Sequence, residues 1–239
     1  MMEYLQTGRA FGLSILSGLI AGGILVGINM TLLQPYTAAL AELELENLLA
    51  EGEYDEELYD AQLQSIYFSQ LYVPIITGLA GGALVGGAYV FSKIRMDPVK
   101  GALVIAGIAW FALYVVPTVK YPPSPEVMFG SEAAGTYQLL LAGYTAVSGL
   151  ATLGIAFGFR RIKRKEKAFG AAALYLAVVA GAFFAFQDFQ SEDDSLLPQP
   201  LLAGWRSAIS LSMTVFWFAL GIIAGLLWRY GSKSVGKGN

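Results

Sequence analysis

The chain has 239 residues, of which 56% are hydrophobic and only 14% are charged, and its formal net charge is −3. Soluble domains average roughly 45–50% apolar and about 25% charged residues, so this composition indicates an integral membrane protein. The absence of Cys and His excludes disulfides, thiolate metal sites and thiol nucleophiles, and it removes the commonest general base near neutral pH.

Six segments are free of acidic and basic residues and have about the length of 20 apolar residues that a membrane-spanning helix needs. They are residues 10–33, 71–91, 101–119, 137–159, 168–186 and 208–228. None shows the alternation of a barrel strand, so we expect helices. The first could instead be a secretory signal, but a signal core has roughly 7–15 residues, so we expect this longer segment to be retained. The sequence predicts an all-α integral membrane protein, a bundle of about six transmembrane helices forming a single membrane domain over residues 1–239.

The basic residues fall almost entirely on one side of this predicted bundle. Thirteen of the fifteen share that side: Arg9, Lys93, Arg95, Lys100, Arg160, Arg161, Lys163, Arg164, Lys165, Lys167, Arg229, Lys233 and Lys237. The three connections on the other side hold fifteen of the eighteen acidic residues. Because cytoplasmic loops carry the excess of Lys and Arg, we expect a multi-pass protein of the cell (plasma) membrane with both termini cytoplasmic.

Glycines recur at four-residue steps, which place small residues on one helix face and let neighbouring backbones approach closely. These steps are Gly18/Gly22, Gly23/Gly27, Gly78/Gly82, Gly82/Gly86, Gly154/Gly158 and Gly221/Gly225. Such Gly-rich packing faces suit either a moving interface in a transporter or, as we favour, close static packing.

The first outer connection, residues 34–70, is long and contains nine carboxylates and no basic residue. Its pattern predicts two helical arms that extend the first two spans, with a break near Gly52. The carboxylates would concentrate cations near the membrane surface. Alternatively they form a solvated face.

The second outer connection begins with LYVVPTVKYPPSPE, residues 113–126, in which prolines stop the preceding helix. Tyr121 lies where an interfacial aromatic anchor is expected. The extended Pro122–Pro123 segment suits either a structural cap or the lining of a wet cavity. Lys120 either extends to water or pairs with an acid; the candidate partners are Glu126, Glu132 and Asp188.

The third outer connection carries a second cation on the acidic side. The sequence LLAGW, residues 201–205, resembles an interfacial turn, and Arg206 follows it at the start of the last span. A cation at a helix N-terminus is unfavourable, so we expect Arg206 to pair with Glu126 or Asp188. The two outer cations thus predict one shared cluster at an outer entrance, formed by Lys120, Tyr121, Pro122, Pro123, Glu126, Asp188, Trp205 and Arg206.

The predicted spans contain no carboxylate for proton relay, and the chain contains no phosphate loop, catalytic triad or zinc motif. We therefore expect no enzymatic activity, no cofactor and no nucleic-acid partner. The residues that would bind a metal are not indicated. The partners to be expected are the lipid bilayer and other membrane proteins, and an oligomer is compatible with the sequence.

Several strings of this chain resemble the CbtA family of proposed cobalt-transporter subunits. They are LYVVPTVKYPPSPEVMFGSEAAGTYQLLL, then a basic loop, then LLPQPLLAGWRSAISLSMTVFWFALGIIAGLLW. The most specific parts are Val116-Pro117, Lys120-Tyr121-Pro122-Pro123 with Pro125, and Trp205-Arg206. The resemblance implies a multi-spanning permease subunit linked to cobalamin metabolism, with Co²⁺ as the transported ion and a small His-rich partner subunit (CbtB-like).

Two hypotheses follow. In the first, the chain is a permease, or a permease subunit, for a divalent metal cation, plausibly cobalt. In the second, it is a non-transporting accessory subunit whose glycine faces and outer loops bind other membrane proteins. A cobalt site in this chain would use carboxylate, amide or backbone oxygens, because there is no imidazole or thiolate.

Overall fold

All regular structure in the described part of the chain is helical. A computed structural model describes residues 7–92, 96–125, 132–159, 166–189 and 197–235, and it assigns no strand to them. In chain order the helices are α1 (Thr7–Ile28), α2 (Gln34–Glu51), α3 (Glu56–Ser92), α4 (Pro98–Trp110), α5 (Val116–Lys120), α6 (Glu132–Phe159), α7 (Glu166–Ala185) and α8 (Gln199–Val235). The predicted all-α class is confirmed.

Five helical runs of the described chain are long and apolar enough to cross a membrane: Thr7–Glu51, Glu56–Ser92, Pro98–Lys120, Ala134–Gly158 and Gln199–Ser232. Each contains one of the predicted spans or nearly all of it. The remaining predicted span, residues 168–186, is also helical, but its apolar part Phe169–Ala185 falls short of 18 residues. The architecture is therefore compatible with a membrane bundle.

The predicted break in the first connection is confirmed at Gly52. Its φ of 75° is left-handed, a conformation that glycine adopts without steric cost, and its N–H bonds the carbonyl of Leu48 to end α2. Asp55 then caps α3 by accepting the N–H of Leu58 at 3.1 Å. The hydroxyl of Tyr59 donates to the carbonyl of Ala41 at 2.8 Å, so the two helical arms are joined by a buried hydrogen bond.

Two helical runs each contain a π-helical segment that ends two residues before a proline. Asn29–Leu33 lies between α1 and α2, ahead of Pro35, and Phe111–Val115 lies between α4 and α5, ahead of Pro117. A proline ring inside an α-helix clashes with the carbonyl four residues earlier and offers no N–H. A local π register relieves that clash while the helix continues. Neither π-helical segment was predicted from the sequence.

The chain forms two compact units, residues 1–108 with 199–239 and residues 109–198. In the first unit, α1 and α3 cross at glycines: a Cβ on Gly22 would lie 2.7 Å from the carbonyl oxygen of Pro74. A Cβ on Gly78 would lie 2.9 Å from the Cα of Gly22, and it would overlap the carbonyl oxygen of Gly18. Close backbone contact of this kind packs membrane helices by dispersion.

The last helix, α8, is fixed to the same unit at two points. The indole of Trp228 is fully buried, stacks on Tyr89 at 3.9 Å between ring centroids and donates to Ser14 Oγ at 3.0 Å. Arg229 Nη2 donates to Asp97 Oδ2 at 2.6 Å, and Asp97 also caps α4. The hydrogen bond from Arg229 holds the pKa of Asp97 below its usual range, against a smaller opposing effect of desolvation.

The glycine crossing gives a first prediction. Gly78→Ala should lower the free energy of unfolding by about 1–3 kcal/mol, because the added methyl group has no room against the backbone of α1. The measurement is the thermal midpoint of the purified protein in detergent. Gly87→Ala on the same helix is the matched control, since a Cβ there has nothing within 4 Å, and it should leave the midpoint unchanged. Equal midpoints for the two variants would contradict the close crossing.

Candidate functional site

The α5 helix ends where the sequence analysis expected it to end. Lys120 is its last residue, and the N–H of Tyr121 still bonds the carbonyl of Pro117 at 2.8 Å. Tyr121 then leaves helical geometry, with φ −125° and ψ 83°, and Pro122 and Pro123 continue the chain outside a helix. The helix stop is confirmed, and it places Lys120 at the junction of helix and loop.

The ammonium of Lys120 pairs with the carboxylate of Asp188, a residue shortly after α7. The Lys120 side chain is only 3% exposed, whereas that of Asp188 is 81% exposed. The ammonium also lies 4.4 Å from the ring centroid of Phe183, within the range of a cation–π contact. Lys120 therefore does not extend to water, and Asp188 is its partner. Of the other candidate partners, Glu126 and the side chain of Glu132 lie outside the described part of the chain.

Two tyrosines attach the proline-rich segment to its neighbours. Tyr121 is 1% exposed, and its hydroxyl donates to the carbonyl of Gln187 at 2.7 Å. Burial raises the pKa of this phenol, so it remains protonated and able to donate. The hydroxyl of Tyr137 donates to the carbonyl of Pro122 at 3.0 Å. These bonds join the loop after α5 to α6 and to the segment after α7, on both sides of the Lys120–Asp188 pair.

Aromatic rings fill the space below this polar layer. Tyr121 meets Tyr144 edge-on at 5.9 Å, Tyr144 meets Phe186 at 5.6 Å, and Tyr137 meets Phe189 at 5.2 Å between centroids. Such pairs contribute about 0.5–1.5 kcal/mol each beyond their area burial. The ammonium of Lys120 thus lies in apolar surroundings and pairs there with the carboxylate of Asp188.

Also in the second unit, Ser148 supplies the hydrogen-bond donor that the backbone lacks at Pro117. In the π-helical register the N–H of Val116 donates to the carbonyl of Phe111. The carbonyl of Ala112 would then need the N–H of residue 117, but that residue is a proline and has none. The Ser148 hydroxyl on α6 donates to the Ala112 carbonyl instead, at 2.5 Å. Its oxygen also lies 2.8 Å from the hydroxyl of Tyr175 on α7. A proline inside a predicted span, with a serine in a neighbouring span, is the sequence signal for this contact.

Trp205 and Arg206 belong to the first unit. The predicted interfacial turn at residues 201–205 is wrong, because these residues are helical: α8 begins at Gln199, and a proline such as Pro200 is well tolerated in a first helical turn. Arg206 therefore lies in the second turn and not at the helix start. Trp205 is 4% exposed, and its indole N–H has no acceptor among the described residues. The cluster joining Arg206 to Lys120 stays a prediction.

The described residues contain no group of three or more Asp, Glu, Cys or His side chains that could hold a metal ion. The predicted entrance residues that the structure brings together are Lys120, Tyr121, Pro122 and Asp188. Pro123 lies beside them, half-buried. Chemically this arrangement is one exposed carboxylate whose counter-ion is a buried ammonium.

The five long apolar helical runs of the described residues indicate a multi-pass membrane protein. Comparison with known families points to a subunit of a transporter. The profile of the family described as "Probable cobalt transporter subunit (CbtA)" matches residues 8–229, nearly the whole chain. The chain belongs to the CbtA family. Comparison with curated proteins and with solved structures found no match.

The role of Ser148 gives a second prediction. Ser148→Ala should lower the free energy of unfolding by about 1–3 kcal/mol, because it leaves the buried carbonyl of Ala112 without a donor. Ser207→Ala is the control, since that exposed hydroxyl bonds a carbonyl of its own helix. The measurement is again the thermal midpoint in detergent.

A double-mutant cycle makes this test specific. Pro117→Ala restores an N–H at position 117 that can serve the carbonyl of Ala112, so in that background Ser148→Ala should cost less. Additive effects of the two substitutions would show that the serine stabilises the unit by some other contact.

Proposed function

We propose that this chain is the membrane-spanning subunit of a permease for a divalent metal cation, Co²⁺ in the first instance, in the service of cobalamin metabolism. The observation that carries the proposal is the match of the cobalt-transporter-subunit family over residues 8–229. The residue inventory offers little support for an enzyme, because the chain has no His or Cys and no catalytic triad or zinc motif.

We further propose that the protein lies in the plasma membrane with both termini cytoplasmic. Thirteen of the fifteen basic residues would then lie inside, as the distribution of Lys and Arg in membrane proteins favours. The acid-rich connections, including Asp188, would face outward and would raise the local concentration of divalent cations.

This orientation gives a third prediction. The chain contains no cysteine, so single cysteines can be introduced into an otherwise unreactive background. Glu53→Cys should react with a membrane-impermeant maleimide in intact cells, and Lys233→Cys should react only after the membrane is opened. The reverse pattern would overturn the proposed orientation.

The entrance works by exchange of cations at Asp188. An arriving metal ion would compete with the Lys120 ammonium for the exposed carboxylate. A buried ammonium that loses its counter-ion is strongly destabilised. Metal binding would therefore drive Lys120 away from Phe183, loosening the proline-rich segment that Tyr121 and its neighbours hold closed.

Exchange at Asp188 gives a fourth prediction. In vesicles that contain the protein with its natural partner subunit, Asp188→Asn should raise the KM for ⁵⁷Co²⁺ uptake on the order of tenfold, the equivalent of about 1.4 kcal/mol. Lys120→Met should change KM in the opposite direction, because the carboxylate no longer has an internal competitor. Asp60→Asn is the control, an exposed carboxylate in the first connection that loses the same charge.

Each alternative outcome is informative. Equal effects of Asp188→Asn and Asp60→Asn would show that only the general negative field matters. Loss of folded protein in both Lys120→Met and Asp188→Asn, without opposite changes in KM, would show that the ion pair is structural. Uptake no greater than in empty vesicles would overturn the transport proposal.

The word "subunit" in the family description favours one second candidate, an accessory protein that does not conduct the ion. In that case the protein would co-purify in fixed stoichiometry with other membrane proteins, and a small His-rich partner would supply the imidazole ligands that this chain lacks. Uptake by the partner alone at the rate of the complete complex would support this alternative.

A further inference from the structure

A buried polar pair lies in the first unit where α2 meets α3. Gln70 Nε2 donates to Thr37 Oγ1 at 3.3 Å, and the two residues are 9% and 2% exposed. The other end of the same amide, Gln70 Oε1, is buried and has no hydrogen-bond donor among the described residues. An acceptor that has lost water without gaining a partner is unfavourable, so a bound water or a cation is the expected partner of this oxygen.

The main chain at the same place is also short of a donor. Pro74 lies inside α3 and has no N–H, so the carbonyl of Gln70, four residues earlier, lacks its regular helical partner. The Thr37 hydroxyl donates to the carbonyl of Leu33 at 3.2 Å and accepts from Gln70 Nε2, which leaves one lone pair of its oxygen for another contact. The candidate ligands at this contact of α2 with α3 are therefore Gln70 Oε1, the main-chain oxygen of Gln70 and the remaining lone pair of Thr37 Oγ1.

These oxygens are all uncharged. No acidic or basic residue occurs in residues 34–41 of α2 or in residues 61–92 of α3. A divalent cation in a site without carboxylates would recover too little of its hydration energy. A monovalent cation is better matched to uncharged oxygens, and main-chain carbonyls without a helical partner coordinate Na⁺ in transporters.

We propose that Gln70 Oε1, the main-chain oxygen of Gln70 and Thr37 Oγ1 form a binding site for a dehydrated Na⁺ ion. Binding at this site is independent of the function proposed above. The use of the bound Na⁺ to drive metal transport rests on that function.

The test is equilibrium binding of ²²Na⁺ to the purified full-length protein in detergent, with choline chloride holding the ionic strength constant. Wild type should show saturable binding and a rise in thermal midpoint with NaCl. Gln70→Met should raise the dissociation constant at least on the order of tenfold. Gln64→Met is the matched control, an exposed glutamine on the same helix, and should bind as wild type does.

Two further variants separate the oxygens. Pro74→Ala supplies an N–H to the carbonyl of Gln70 and should weaken binding, whereas Gln70→Glu keeps a side-chain oxygen and should retain it. If Gln70→Met does not fold, Thr37→Val decides the question, because it removes Oγ1 with little change of shape.

Absence of saturable ²²Na⁺ binding to wild type would overturn the proposal and leave a buried water as the partner of Gln70. Equal binding by Gln70→Met, or by Thr37→Val where that variant is used, and by Gln64→Met would also overturn it. Saturable binding that depends on Gln70, in a protein that does not transport Co²⁺, would support the site while contradicting the transport function.

Discussion

Within hydrocarbon every backbone N–H and C=O must find its hydrogen-bond partner inside the protein. Three helical runs contain an internal proline, and the rest of the structure depends on how these runs meet that constraint. Pro35 and Pro117 each follow a π-helical segment that lets the helix continue past the ring. Each proline leaves a carbonyl for other groups to satisfy. Ser148 supplies a hydroxyl at one such carbonyl, and Pro74 leaves the carbonyl of Gln70 without its regular helical partner. At Ser148 a polar side chain is thus retained in the apolar interior where the neighbouring helix cannot satisfy its own carbonyl.

Much of the architecture could be predicted from local sequence. Charge-free runs marked the helices, and the left-handed break at Gly52 followed from a glycine between two acidic helical arms. The π-helical segments were missed because residue patterns show that a proline disturbs a helix but not how the register absorbs it. The turn predicted at residues 201–205 was wrong for a related reason: prolines were read as the end of structure, whereas Pro200 lies in the first turn of a helix.

The candidate site was harder to predict because it depends on contacts between distant segments. Three acids were compatible with Lys120, and only the packing of α7 beside α6 brings Asp188 to it. The four-residue glycine steps likewise do not show which helix faces are in contact. Gly18, Gly22 and Gly78 lie at a helix crossing, yet the step from Gly154 to Gly158 has nothing within 4 Å of either position. Spacing defines a face of small residues, but the presence of a neighbour is a property of the whole fold.

The sign of the charge on Lys120 restricts how a cation could pass the proline-rich segment. An ammonium that stayed in place would repel a divalent ion and would occupy the carboxylate that the ion needs. The structure holds that ammonium by two contacts, the Asp188 carboxylate and the face of Phe183, and only the carboxylate is exposed to an arriving ion. In the proposed permease, therefore, a metal ion that binds Asp188 would displace Lys120, so that metal binding and loosening of the proline-rich segment would be one event.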